Sequence, residues 1–78
     1  MKLIINGEQR EFDGVSTLSD LLAQLELKPD RVAVELNRVL VSRDQWPSSR
    51  LNDGDKLEIV HFVGGGSPFE DSARSEVL

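Results

Sequence analysis

No cysteine occurs anywhere in this sequence of 78 residues. Disulfides, thiol nucleophiles and thiolate metal sites are therefore excluded. Chains this short often need such staples, so this one must hold together by packing alone, which suits a reducing compartment. Long apolar runs are missing too. None approaches the roughly 20 residues that a membrane span requires. The N-terminal MKLIINGEQ carries one lysine and a short apolar run before it turns polar, unlike an export signal. The expectation is a soluble, cytoplasmic protein with no membrane partner. Excess positive charge is absent as well: 9 Lys and Arg stand against 14 Asp and Glu, a formal net charge of −5. With no basic cluster, a phosphate backbone repels the chain, so nucleic acid is not an expected partner. A basic protein surface fits better.

Sets of catalytic residues are also wanting. A chain of this length buries roughly 60% of its unfolded surface or slightly more, enough for a compact core but not for a deep cleft besides. His61 is the one histidine, and it lies in a strand-like run with no nucleophile near it in sequence. A packing role is its default reading, against a ligand or base. Asp53 and Asp55 flank Gly54, but the segment is far too short for a calcium loop and reads as a turn.

What is present is a succession of short elements. Leu3-Ile4-Ile5 is β-prone and runs into Asn6-Gly7, a strong two-residue hairpin signal. Glu8 to Phe12 is the return strand. Leu18, Leu21, Leu22 and Leu25 fall at i, i+3, i+4 and i+7, one apolar helical stripe. Thr17 can cap that helix with Asp20 in its first turn, and Pro29 prevents continuation. RVAVELN, from Arg31 to Asn37, alternates as a half-buried strand, turns at Asn37-Arg38 and returns through Val39-Leu40-Val41. Arg43 to Arg50 is a polar connection whose Trp46 is an anchor over the core edge. After the turn at Asp53-Gly54-Asp55, KLEIVHFV from Lys56 to Val63 is the last strand. Its Leu57 and Ile59 face the core, and Val60 and Phe62 face the other way.

The order β-β-α-β-β-β requires one helix packed across one sheet face, and the first hairpin and last strand can then pair centrally, the last strand parallel to the first. This is a β-grasp, ubiquitin-like arrangement: α+β, a mixed sheet of four to five strands on one helix. It occupies residues 1–66. Residues 67–78 lack periodicity and have the composition of a flexible, unstructured extension.

Gly64-Gly65-Gly66 joins the two. It is no phosphate loop, because no helix begins after it. Two readings stand on composition: a flexible linker, or a side-chain-free chain end able to lie extended in a partner's narrow channel.

At these residues the chain resembles the sulfur-carrier family of thiamin biosynthesis. The resemblance runs over residues 1–66 and rests on LIING at Leu3 to Gly7, TLSDLLAQL at Thr17 to Leu25, RVAVELN, RDQW at Arg43 to Trp46 and DGD at Asp53 to Asp55. Most specific is EIVHFVGGG at Glu58 to Gly66. The resemblance implies a protein co-substrate, not an enzyme. A ubiquitin-activating-like enzyme using ATP and magnesium would adenylate the terminal glycine carboxylate, and a relay supplied by partners would convert it to a thiocarboxylate. Thiazole synthase would take the sulfur. Gly66 would bear it, with Gly64 and Gly65 threading the channel, and the chain itself would bind no cofactor or metal.

The tail departs from that pattern, since the family normally ends at the diglycine. A peptide bond to Ser67 blocks the carboxylate, which implies a processing protease that cuts after Gly66. Val60 and Phe62, joined by Leu40, are the expected partner-binding patch beside the reactive end. Other outcomes are a carrier for molybdopterin, cysteine or siderophore synthesis, a ubiquitin-like modifier, and a passive module whose tail docks a partner.

Overall fold

The computed structural model describes residues 1–63 and 74–77. Among these residues, six strands form a mixed sheet with one α-helix on one face. The strands are β1 (Lys2–Ile5), β2 (Glu8–Glu11), β3 (Val32–Leu36), β4 (Val39–Val41), β5 (Lys56–Val63) and β6 (Arg74–Val77); the helix α1 is Leu18–Gln24. The sheet order is β2-β1-β5-β3-β4, with β6 also paired to β5. β5 is central and parallel to β1, through Ile4↔Lys56 and Ile5↔Leu57. It is antiparallel to β3 along Val32↔His61 to Leu36↔Leu57. The expected β-grasp arrangement is the one observed.

Local chemistry explains each element. Both hairpins turn on two residues with positive φ: Asn6 at 52° and Gly7 at 82°, then Asn37 at 51° and Arg38 at 70°. Such turns match the right-handed twist of the strands. Thr17 caps α1 as its spacing predicts. Its hydroxyl accepts from the Asp20 N–H at 3.2 Å, and the Asp20 carboxylate accepts from Ser16 and Thr17 N–H, each at 3.0 Å. The helix ends before Pro29 and is closed by Glu26, whose φ is 58°. The Glu26 N–H bonds the Ala23 carbonyl and the Leu27 N–H bonds the Leu22 carbonyl, the 5→2 and 6→1 pair of a Schellman closure.

The core lies between α1 and one sheet face. Leu3, Leu18, Leu21, Val34, Leu57 and Ile59 are its most deeply buried side chains, with Trp46 packed among them. Trp46 sits in a 3-10 segment, Arg43–Ser48, where the sequence suggests a polar connection anchored over the core edge by Trp46, and the anchor is the one observed. Its indole N–H donates to the Val41 carbonyl at 3.0 Å, so its apolar body is buried without orphaning its polar edge.

The tail differs in part from expectation. Residues 67–78 carry no strand signal, yet Arg74–Val77 pair antiparallel with β5 through Val60↔Val77, His61↔Glu76, Phe62↔Ser75 and Val63↔Arg74. Nothing local in RSEV specifies a strand. Its template is the unpaired backbone of β5, which a neighbouring chain segment satisfies whatever its side chains. The remaining tail residues lie outside the described ones.

Candidate functional site

The last strand is the natural place to look, because it delivers the chain into Gly64-Gly65-Gly66. Those three glycines, and with them the expected sulfur-bearing Gly66, lie outside the described residues. What the structure does describe is the strand that aims them and the surface around it.

β5 is held along both edges. On one, β3 pairs with it from Leu57 to His61. On the other, β1 pairs only with Lys56 and Leu57, after which the chain turns away at Asn6. The Asn6 side chain then continues the ladder by itself. Its amide oxygen accepts from the Ile59 N–H at 2.9 Å, and its amide nitrogen donates to the Ile59 carbonyl at 3.2 Å. One side chain thus stands in for the next strand residue. The sequence marks Asn6 only as a turn residue. Its clasp on a residue 53 positions away is a long-range contact, and no local pattern announces it.

Alternation along β5 sends Leu57 and Ile59 into the core, 2% and 0% exposed. Val60 and Phe62 are therefore on the opposite, open face, where both are half-buried. Leu40 shares this face. It stands opposite Glu35 on β4, and Glu35 is exposed where its neighbour Val34 is buried. Leu40 is 69% exposed. The structure thus brings Val60 and Phe62 together on one strand and sets Leu40 apart from them across β3. Ala33 stands beside Val60, and Glu35 beside Glu58. Val39, at 64% exposure, is a large apolar residue that the sequence reading does not single out. Ile4, Glu35, Lys56 and Glu58 border a shallow groove on the same side.

Among the described residues, no group of three or more His, Cys, Asp or Glu could hold a metal ion. No helix among them is long and apolar enough to cross a membrane. His61 stands opposite Val32 on β3 and Glu76 on β6, within the ladder. The arrangement is a central strand whose open face carries Val60 and Phe62 and which leads, in sequence, into Gly64.

Known proteins share this arrangement. The family model described as "ThiS family" matches residues 3–66, ending on the last of the three glycines. A thiazole synthase from Paramagnetospirillum magneticum is 49% identical over 72 residues, 92% of this chain and 22% of that protein. The chain spans about a fifth of the length of this relative and of a second thiazole synthase, from Magnetococcus marinus. The sulfur carrier protein ThiS of Bacillus subtilis is 38% identical over 65 residues, 82% of this chain and 98% of that protein. The crystal structure of the thiamine biosynthesis protein ThiS from Geobacter metallireducens superposes with a TM-score of 0.70 at 33% identity, over 85% of this chain and all of that one. With the match reaching from the first strand to the final glycine, the chain belongs to the ThiS family.

Proposed function

We propose that this chain is a sulfur carrier for thiazole formation in thiamin biosynthesis. The observation that carries the reading is the match of residues 3–66 to the ThiS family, which stops at Gly66. The geometry supports it: a central strand, fixed on both edges, leads out of the core directly into Gly64-Gly65-Gly66. In this reading Gly66 is the sulfur-bearing residue and Gly64 and Gly65 thread the activating enzyme's channel, where side chains would collide with the walls. The activating enzyme uses ATP and magnesium to adenylate the Gly66 carboxylate. A sulfur relay on partner proteins then displaces AMP and leaves a thiocarboxylate for thiazole synthase. The chain is a co-substrate in these steps.

Adenylation requires a free carboxylate, so the Gly66–Ser67 bond must be cut first. The tail is not foreign to relatives. The match to the Paramagnetospirillum thiazole synthase covers 72 residues of this chain against the 66 that end at Gly66, so at least six of them lie beyond it. That observation also favours a second arrangement, in which a carrier unit of this kind precedes synthase sequence in one polypeptide and the same cut separates the two. The open face of Val60, Phe62 and Leu40 is the docking surface for the activating enzyme.

The test compares residues 1–66 with residues 1–78, each incubated with a ThiS-activating enzyme, ATP, magnesium and a sulfur donor. Mass spectrometry of the shorter chain is expected to find one terminal oxygen replaced by sulfur, and the longer chain is expected to stay unchanged. A shorter chain that never gains sulfur, or that appears instead as conjugates on other proteins' lysines, overturns the reading.

A further inference from the structure

The free edge of β5 carries the inference. Both peptide groups of Ile59 point toward the β1 side, because the Asn6 side chain binds its N–H and its carbonyl. Peptide groups along a strand alternate between its two edges. His61 and Val63 therefore point the same way as Ile59, past the end of β1, where neither β1 nor Asn6 reaches. Val60 and His61 are already paired to β3 on the opposite edge. β6, which also registers against Val60 to Val63, accordingly lies on the β1 edge and continues it. His61↔Glu76 and Val63↔Arg74 are then the pairs that exchange both hydrogen bonds.

We propose that Arg74–Val77 is a self-supplied edge strand, a latch that occupies this strand-accepting edge in the uncut chain and leaves it when the chain is cut. The proposal rests on the reading that processing occurs at Gly66–Ser67. The occupant is a named segment of the chain, and its register is observed. Pairing ties the chain back onto the strand that carries the glycines, so the latched form cannot present an extended terminus. Covalent attachment keeps it there. Residues 64–73 join the paired ends, and a linker of that order gives an effective concentration of about millimolar. After a cut between Gly66 and Ser67 the same four residues belong to a separate peptide, whose few main-chain bonds must bear the full cost of association. The latch therefore leaves, and His61 and Val63 present two donors and two acceptors at the spacing that an extended partner segment reads.

Amide hydrogen exchange tests this without any activation step. The chain of residues 1–78 is compared with its Glu76→Pro variant, which lacks the N–H aimed at the His61 carbonyl. The fold is not at risk, because the core residues among the described ones all lie between Leu3 and Ile59. Exchange at His61 and Val63 is expected to rise by about tenfold or more in the variant, while Ile59, held by Asn6, stays protected. Equal exchange at His61 and Val63 in the two chains overturns the latch. In the second arm, the synthetic peptide of residues 67–78 is added to residues 1–66. No return of protection is expected below about millimolar peptide; protection restored at micromolar peptide overturns release by cutting. Neither readout involves sulfur transfer. Residues 1–78 that latch, beside residues 1–66 that are never adenylated, would sink the carrier reading alone, and residues 1–66 that gain sulfur, beside residues 1–78 without the exchange difference, would sink the latch alone.

Discussion

Two polar residues do work out of proportion to their size. Asn6 closes a hairpin at φ 52° and clasps both peptide groups of Ile59, a residue with no solvent exposure. Asn6→Ala leaves that donor and acceptor without their partner and keeps the positive φ, which alanine tolerates poorly. The expected loss is about 1–3 kcal/mol, measured by urea unfolding. Asn6→Gly relieves the backbone but not the lost bonds, so it should recover only part of the loss. Asp20 is the second. Hydrogen bonds from the Ser16 N–H, then the Thr17 N–H, hold its carboxyl below the ordinary value of 3.8. The folded state therefore binds that proton less readily than the unfolded state. The carboxylate's contribution is present above 3.8 and is lost as pH falls through the lower folded-state value. The stability gap between the protein and its Asp20→Asn variant should accordingly narrow on acidification through that range, as followed by unfolding midpoints at stepped pH. A gap that is flat with pH would contradict the capping assignment.

Among the elements, the link between β4 and β5 holds more structure than its composition advertises. Its 3-10 segment buries Trp46 to 4% exposure. The chain after it is stitched to the start of α1: the Leu18 N–H donates to Ser49 and the Leu51 N–H to Ser16, both at 2.9 Å. Trp46 thus fixes the segment that seats the helix. Trp46→Phe keeps most of the apolar volume but leaves the Val41 carbonyl without its donor, and it should cost about 1–3 kcal/mol. Trp46→Ala removes the packing as well, for about 3–5 kcal/mol. Thermal unfolding of the two variants separates the contributions. Two substitutions of equal effect would mean that the indole N–H matters more than the ring's bulk.

For the whole molecule, the division of labour is between a core whose last member among the described residues is Ile59 and a strand that runs four residues past it. Val60 and Phe62 are half-buried on the open face, and neither belongs to the core cluster. Phe62→Asp in residues 1–66 should leave circular dichroism and unfolding nearly unchanged. Its affinity for the activating enzyme should fall by at least about tenfold, as for a central aromatic anchor in an interface. Titration calorimetry reads the difference, and unaltered affinity would remove Phe62 from the docking face. Leu40 stands across β3 from the pair, so Leu40→Asp should weaken binding less.

Much of this molecule was legible from residue order. Hairpins at Asn6-Gly7 and Asn37-Arg38, a capped helix with leucines at helical spacing, and the core parity of Leu57 and Ile59 all arise from neighbours within a few positions. Backbone sterics and period alone determine such features. The membership of residues 3–66 in the ThiS family was legible for the same reason, since its motifs are contiguous. Three features were decided only in three dimensions. The Asn6 clasp, the stitching of Ser49 and Leu51 to the start of α1 and the docking of Arg74–Val77 on β5 each join segments that no short window contains. The last is the sharpest case. RSEV has no strand pattern of its own, and its conformation comes from the open hydrogen-bonding edge beside it. A backbone donor left unpaired by the fold is a tertiary fact, and it can order whichever part of the chain lies within reach.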